Sequence, residues 1–96
     1  MLFAIFCTDK KDHLQVRQDN RPAHVEHLKA IGAQLIFAGP TLADDNESMN
    51  GSLIVVDFDT RAEVDAFVQR DPYGQAGLFE SVVVRPWKKV LPQGPA

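Results

Sequence analysis

The sequence predicts a single α+β domain of the split βαβ, or ferredoxin-like, type: a four-stranded antiparallel sheet in β-α-β-β-α-β order with both helices on one face. Three observations predict it. Short runs rich in branched and aromatic residues alternate with segments of helical period along 96 residues. Right-handed crossovers then leave this sandwich as the leading way to join them. Finally, Ile54-Val55-Val56 and Val82-Val83-Val84 are apolar at consecutive positions, the pattern of strands covered on both faces. With no further element to cover the face away from the helices, the simplest cover is the same face of a second copy. That gives a homodimer, with further association left open.

Residues 2–7 form an unbroken apolar run short enough for a strand, bounded by the polar residues 8–12. Residues 12–31 turn helical, with Leu14 followed by Val25, Leu28 and Ile31, but Pro22 predicts two pieces meeting near Asn20. Asn20 or Arg21 then opens the second piece, with Pro22 in its first turn, and Gly32 closes it. Residues 35–38 are the second strand, stopped by Gly39-Pro40, and residues 41–50 read as a loop with Asn50-Gly51 as a turn. Residues 52–58 make strand three. Asp59 or Thr60 caps the next helix, whose Val64, Phe67 and Val68 fall at i, i+3 and i+4. Asp71-Pro72 ends that helix, residues 78–84 are strand four, and an extended tail begins at Pro86. The domain is expected over residues 1–90, with a flexible tail at 91–96.

Ten Lys and Arg against thirteen Asp and Glu give a net charge of -3, with no basic cluster beyond Lys10-Lys11 and Lys88-Lys89. Nucleic acid is therefore excluded as a partner. The longest apolar stretch, residues 1–7, falls far short of the roughly 20 residues that cross a bilayer. No basic n-region or cleavage site precedes it, so the chain is read as cytoplasmic, with no membrane partner. The single Cys7 has no disulfide partner within the chain and reads as a small buried hydrophobe.

The topology decides which polar residues meet. With strand one pointing up, the end of strand one, the start of the Pro22 helix, Gly39-Pro40, the 41–50 loop and the end of the second helix all gather at the top. His24 and Asp71, 47 positions apart, are thereby brought within reach. An imidazole held by a carboxylate is suited to general acid or base work near neutral pH. Asp71 before Pro72 equally fits an N-cap opening a short turn over residues 73–75, and the two roles are compatible. A structural or solvated His24 is the competing reading. His24 and His27 share a helix face, but no third ligand points at them, so no metal is assigned. His13 reads as solvated, and the single glycine of Gly39-Pro40 makes no phosphate nest. Trp87 fits a hinge for the tail, an interface anchor or a pocket wall.

Four blocks in this order, Arg21-Pro22-Ala23-His24, Ala38-Gly39-Pro40, Asp71-Pro72-Tyr73 and Val84-Arg85-Pro86-Trp87-Lys88-Lys89, resemble those of the YciI-like (YCII-related) family. The resemblance runs from Leu2 to about Val90. It implies the dimeric α+β barrel arrangement, two ferredoxin-like units with their sheets face to face. It also implies a catalytic pair, His24 and Asp71, acting without metal or other cofactor. The implied chemistry is elimination, isomerisation or related acid–base work on a small, often cyclic, organic molecule. His24 would move the proton and Asp71 would orient it and stabilise imidazolium. Arg21 or Tyr73 would bind an anionic or hydroxylated group, with Gly39 and Pro40 completing the substrate-binding set. A ligand-binding or accessory module with the same pocket and no turnover is the alternative.

Overall fold

The computed structural model describes residues 1–95, so the last residue of the expected tail, Ala96, lies outside the described residues. Four strands, β1 (Leu2–Asp9), β2 (Leu35–Leu42), β3 (Met49–Asp57) and β4 (Phe79–Trp87), form one sheet in the order β2-β3-β1-β4. Every neighbouring pair is antiparallel. Between them run α1 (Leu14–Lys29), a 3-10 turn (Gly32–Gln34), α2 (Arg61–Gln69) and the four-residue α3 (Pro72–Gln75). This is the ferredoxin-like α+β fold that the sequence predicts.

Alternation along the strands separates the two sheet faces. Phe3, Ile5 and Cys7 of β1 and Ile54 and Val56 of β3 turn inward and pack with Leu28 of α1 and Val64 and Phe67 of α2. Both helices therefore cover one face. The intervening residues turn the other way, and among them Phe6 and Val83 are each 45% exposed and Phe37 49%. Trp87, paired with Leu2 at the end of β4, is 40% exposed. Among the described residues, no helix is long and apolar enough to cross a membrane.

Local chemistry sets the element ends. Thr60 caps α2, its hydroxyl accepting from Glu63 N and donating to Glu63 Oε1, both at 3.2 Å. Gly32 closes α1 at φ 58°, a conformation open to glycine at no steric cost. Gly51 has a different necessity: a Cβ there would lie 2.2 Å from the Cys7 carbonyl oxygen, so only glycine lets β3 approach β1 at this point.

Four boundaries differ from the sequence expectation, and three have one cause. α1 is unbroken through Pro22. Pro22 and Gln18, whose carbonyl loses its helical donor, are both exposed, so water can take the missing partner's place, while buried Arg17, His24 and Leu28 hold the helix on either side. β2 runs through Gly39-Pro40 to Leu42, and β4 runs through Pro86 to Trp87. Both are edge strands, where a proline need not supply an N–H to the ladder. The hairpin turn is the fourth difference. It lies around Asp44–Ser48 and not at Asn50-Gly51, which belong to β3. Asp45 organises that turn, accepting from the backbone N–H of Glu47 and Ser48 and from the Ser48 hydroxyl. Those hydrogen bonds hold its carboxyl down at about 2.

Candidate active site

α1 supplies the site's titratable face because Arg17, Arg21 and His24 fall at i, i+4 and i+7 on one side of the helix. Facing it, Asp71 opens α3. Its Oδ1 accepts from the Tyr73 backbone N–H at 2.9 Å, capping the turn as the Asp-Pro pair predicts. The same oxygen lies 2.8 Å from His24 Nδ1, across 47 residues of sequence. An ionised carboxylate only accepts, so Nδ1 carries the proton and Nε2 keeps the lone pair. Nε2 has no hydrogen-bond partner among the described residues, where no side-chain nitrogen or oxygen is sealed from solvent without one. Nε2 is therefore the atom through which His24 meets solvent or a ligand. The imidazole is further fixed by stacking on Tyr73, with centroids 3.8 Å apart and planes 15° from parallel.

A cavity of about 220 Å³ opens between α1 and the β2–β3 edge. Leu28, Met49 and Ile54 give it apolar walls, and Arg17, Arg21, His24 and Tyr73 give it polar ones. Gly39 and Pro40 form part of the rim on β2, so five of the expected site residues, Arg21, His24, Gly39, Pro40 and Tyr73, line one space. Asp71 is 2% exposed and lies behind His24. Gly39 is paired with Leu53, and a Cβ there would meet nothing within 4 Å.

Sequence reasoning missed Arg17. The residue is 3% exposed, with Nε donating to Asp9 Oδ2 at 2.7 Å and Nη2 to Asp9 Oδ1 at 3.0 Å. Nη2 also reaches the Gly51 carbonyl at 2.8 Å and Ser52 Oγ at 2.9 Å. Its Cζ lies 4.7 Å from the centre of the Tyr73 ring. Burial alone would weaken the charge on this guanidinium, but the Asp9 carboxylate outweighs it and holds the pKa above its ordinary value. Burial likewise pushes the Tyr73 phenol up, against the pull of Arg17 and Arg21. The helix spacing of Arg17 relative to His24 was the available signal.

The other candidates fall away from the cavity's centre. His27 stacks on Phe67 at 4.4 Å and its Nε2 bonds the Phe67 carbonyl at 3.0 Å, and burial lowers its pKa. Among the described residues, no group of three His, Cys, Asp or Glu side chains is placed to hold a metal ion. His13 occupies the N-cap position of α1, with Nδ1 2.7 Å from the Lys11 carbonyl. Cys7 is buried in the core, and burial, then the charges of Asp71 and Asp9, push its thiol up to about 12.

The profile of the YCII-related domain matches residues 1–88. The chain belongs to the YCII-related family. Protein YciI of Escherichia coli O6:H1 is 36% identical over 98 residues, covering 95% of this chain and 100% of its own. Among solved structures, the YCII-related chain is similar to the 5-chloro-2-hydroxyhydroquinone dehydrochlorinase TftG of Burkholderia phenoliruptrix AC1100, determined in complex with 2,5-dihydroxybenzoquinone. The two are 39% identical with a TM-score of 0.84, over 92% of this chain and 94% of the other. SnoaB of Streptomyces nogalater, a cofactor-independent oxygenase, superposes with a TM-score of 0.56 over 96% of both chains at 8% identity, a likeness of fold alone.

Proposed function

We propose that the cavity is the active site of an acid–base enzyme that eliminates a leaving group from, or isomerises, a small hydroxylated six-membered ring. The observation that carries this reading is His24, whose Nδ1 is pinned by Asp71 while Nε2 is left free beside a ring-sized space. A dry cavity of about 150 Å³ admits benzene. The 220 Å³ beside His24 therefore suits one ring with a few substituents. The similarity to a dehydrochlorinase solved with a dihydroxybenzoquinone supports both the substrate class and the reaction class.

In this reading His24 Nε2 takes a proton from a ring hydroxyl or ring carbon. The electron pair released moves into the ring as the carbon bearing the leaving group is protonated and becomes tetrahedral. Loss of a second hydroxyl proton then expels the leaving group with its bonding pair, whereas isomerisation ends at the protonated carbon. Elimination removes one proton and one anion, and neither route changes the count of electrons. Asp71 favours the imidazolium that forms and fixes the tautomer. The proposal extends to the open sheet face, where Phe6, Phe37 and Val83 are covered by the same face of a second copy.

Halide release from a chlorinated hydroxyhydroquinone tests the assignment. Wild type should turn it over, and His24→Ala should lose about 10²-fold or more in kcat while still binding 2,5-dihydroxybenzoquinone. Asp71→Asn, whose amide would favour the wrong imidazole tautomer, should lose a similar factor. Binding with no turnover by wild type on any such ring would identify a binding module instead. A wild-type rate in His24→Ala would end the acid–base reading.

A further inference from the structure

His27 repeats the contacts of His24 one helical turn further along α1. Its ring stacks on Phe67, with centroids 4.4 Å apart and planes 16° from parallel, and its Nε2 lies 3.0 Å from the Phe67 carbonyl oxygen. A carbonyl only accepts, so Nε2 carries a proton. Among the described residues, this bond and the one between His24 Nδ1 and Asp71 are the hydrogen bonds that join α1 to the segment formed by α2 and α3. Two such rungs fix the tilt between the elements that carry His24 and Asp71, which one rung cannot do. The Phe67 carbonyl is open to His27 because the chain turns at Asp71. In an uninterrupted helix the Asp71 N–H would bond that carbonyl, four residues back. Here Asp71 is extended, at φ -63° and ψ 121°, and its N–H goes instead to the Val68 carbonyl at 3.1 Å. The Arg70 N–H takes the Ala66 carbonyl at 3.2 Å, and the Gln75 side chain reaches that of Gln69 at 3.5 Å. His27 thus supplies the partner that a helix end needs for its remaining carbonyl.

We propose that His27 is a positioning residue, which holds the last turn of α2 against α1 so that Asp71 stays in line with His24 Nδ1. The inference rests on the acid–base reading of His24. His27 does not line the cavity, so its effect passes through Asp71. Without the His27 donor, the Phe67 carbonyl is left to its regular helical partner, the Asp71 N–H. Recapture of that N–H would wind α2 further and turn the Asp71 carboxylate off the imidazole. The tautomer of His24 would then lose the group that sets it. Alignment of this kind is costly to lose, since a misplacement of about 1 Å can lower a rate about 10²-fold. Burial keeps the His27 ring neutral near pH 7 against the pull of Asp71, and the charges of His24 and Arg70 act in the same direction as burial. His27 therefore adds a donor beside the pair without adding a competing positive charge.

Two donor-free variants and one rescue test the proposal. His27→Phe keeps a ring to stack on Phe67 and removes the donor, His27→Leu keeps only an apolar side chain, and His27→Gln restores an N–H at the reach of Nε2. Long-range proton–nitrogen NMR spectra read the imidazole tautomers, and wild type should show His27 protonated at Nε2 and His24 at Nδ1. In the Phe and Leu variants, held well below their melting midpoints, His24 should populate both tautomers. Their kcat on the chlorinated hydroxyhydroquinone should fall about tenfold or more with KM little changed. His27→Gln should return both readings close to wild type. A contact that only stabilises the fold would lower Tm and leave the His24 tautomer and kcat as they are in wild type, and that result overturns the positioning role. A wild-type His27 protonated at Nδ1, or no rescue by His27→Gln, overturns it equally. If neither donor-free variant folds, the bond serves the whole fold and the positioning role falls. The tautomer reading needs no turnover. A wild type inactive on every such ring therefore ends the acid–base reading, while the spectra still judge the coupling of His27 to His24.

Discussion

At the scale of single residues, the site shows how one environment sets opposite behaviours. Asp9 strengthens the positive charge of Arg17, and with Asp71 it helps burial keep Cys7 neutral. Cys7 thiolate would form only near pH 12, whereas an unfolded cysteine ionises near 8.5–9. Because the folded state keeps the proton longer, Cys7 contributes stability that is complete below pH 9 and lost as pH rises from there to 12. Denaturant titrations should show a steeper decline across that window in wild type than in Cys7→Ala, and native protein should resist iodoacetamide at pH 8. The pairing of His24 with Asp71 was legible in the sequence because topology alone brings the two ends together. Arg17 was not, since a lone basic residue on a helix usually marks a solvated face. Its burial depends on Asp9, on a different element, and on carbonyl and hydroxyl acceptors supplied by β3.

At the scale of elements, three prolines carry one lesson. Pro22, Pro40 and Pro86 each read as a stop, and each lies inside a regular element. A proline interrupts structure through the N–H it lacks, and that loss matters only where an acceptor would go unsatisfied. Whether a strand is at an edge, or a helix carbonyl faces water, is decided by tertiary arrangement and is absent from local pattern. Strands β1 and β3, the Thr60 cap and the Asp71-Pro72 turn were legible because their causes lie within a few residues. A helix-interior proline costs about 3 kcal/mol, offset by roughly 0.4–1 kcal/mol through the stiffer unfolded chain. Pro22→Ala should therefore stabilise the protein by about 2–2.6 kcal/mol, raising Tm by roughly 8 °C or more in a thermal melt. An unchanged or lower Tm would mean that the helix depends on the proline.

At the scale of the molecule, the sheet separates two surfaces. The cavity lies on the helix-covered side, and the exposed Phe6, Phe37 and Val83 lie on the other. The proposed homodimer predicts that wild type sediments as twice the chain mass and that Phe6→Asp, placing a charge amid that apolar face, sediments as a monomer. A monomeric wild type would leave the open face without its proposed partner. The carboxylate that holds His24 is also the cap of a helix only four residues long, so the imidazole keeps its orienting group only while that single turn stays formed. Each brief fraying of α3 would let the imidazole swing away from its orienting group long before the sheet opens. Heating should therefore silence turnover at a temperature below the midpoint seen by circular dichroism, and cooling should restore it without any refolding phase. The catalyst would carry its own thermal cut-out.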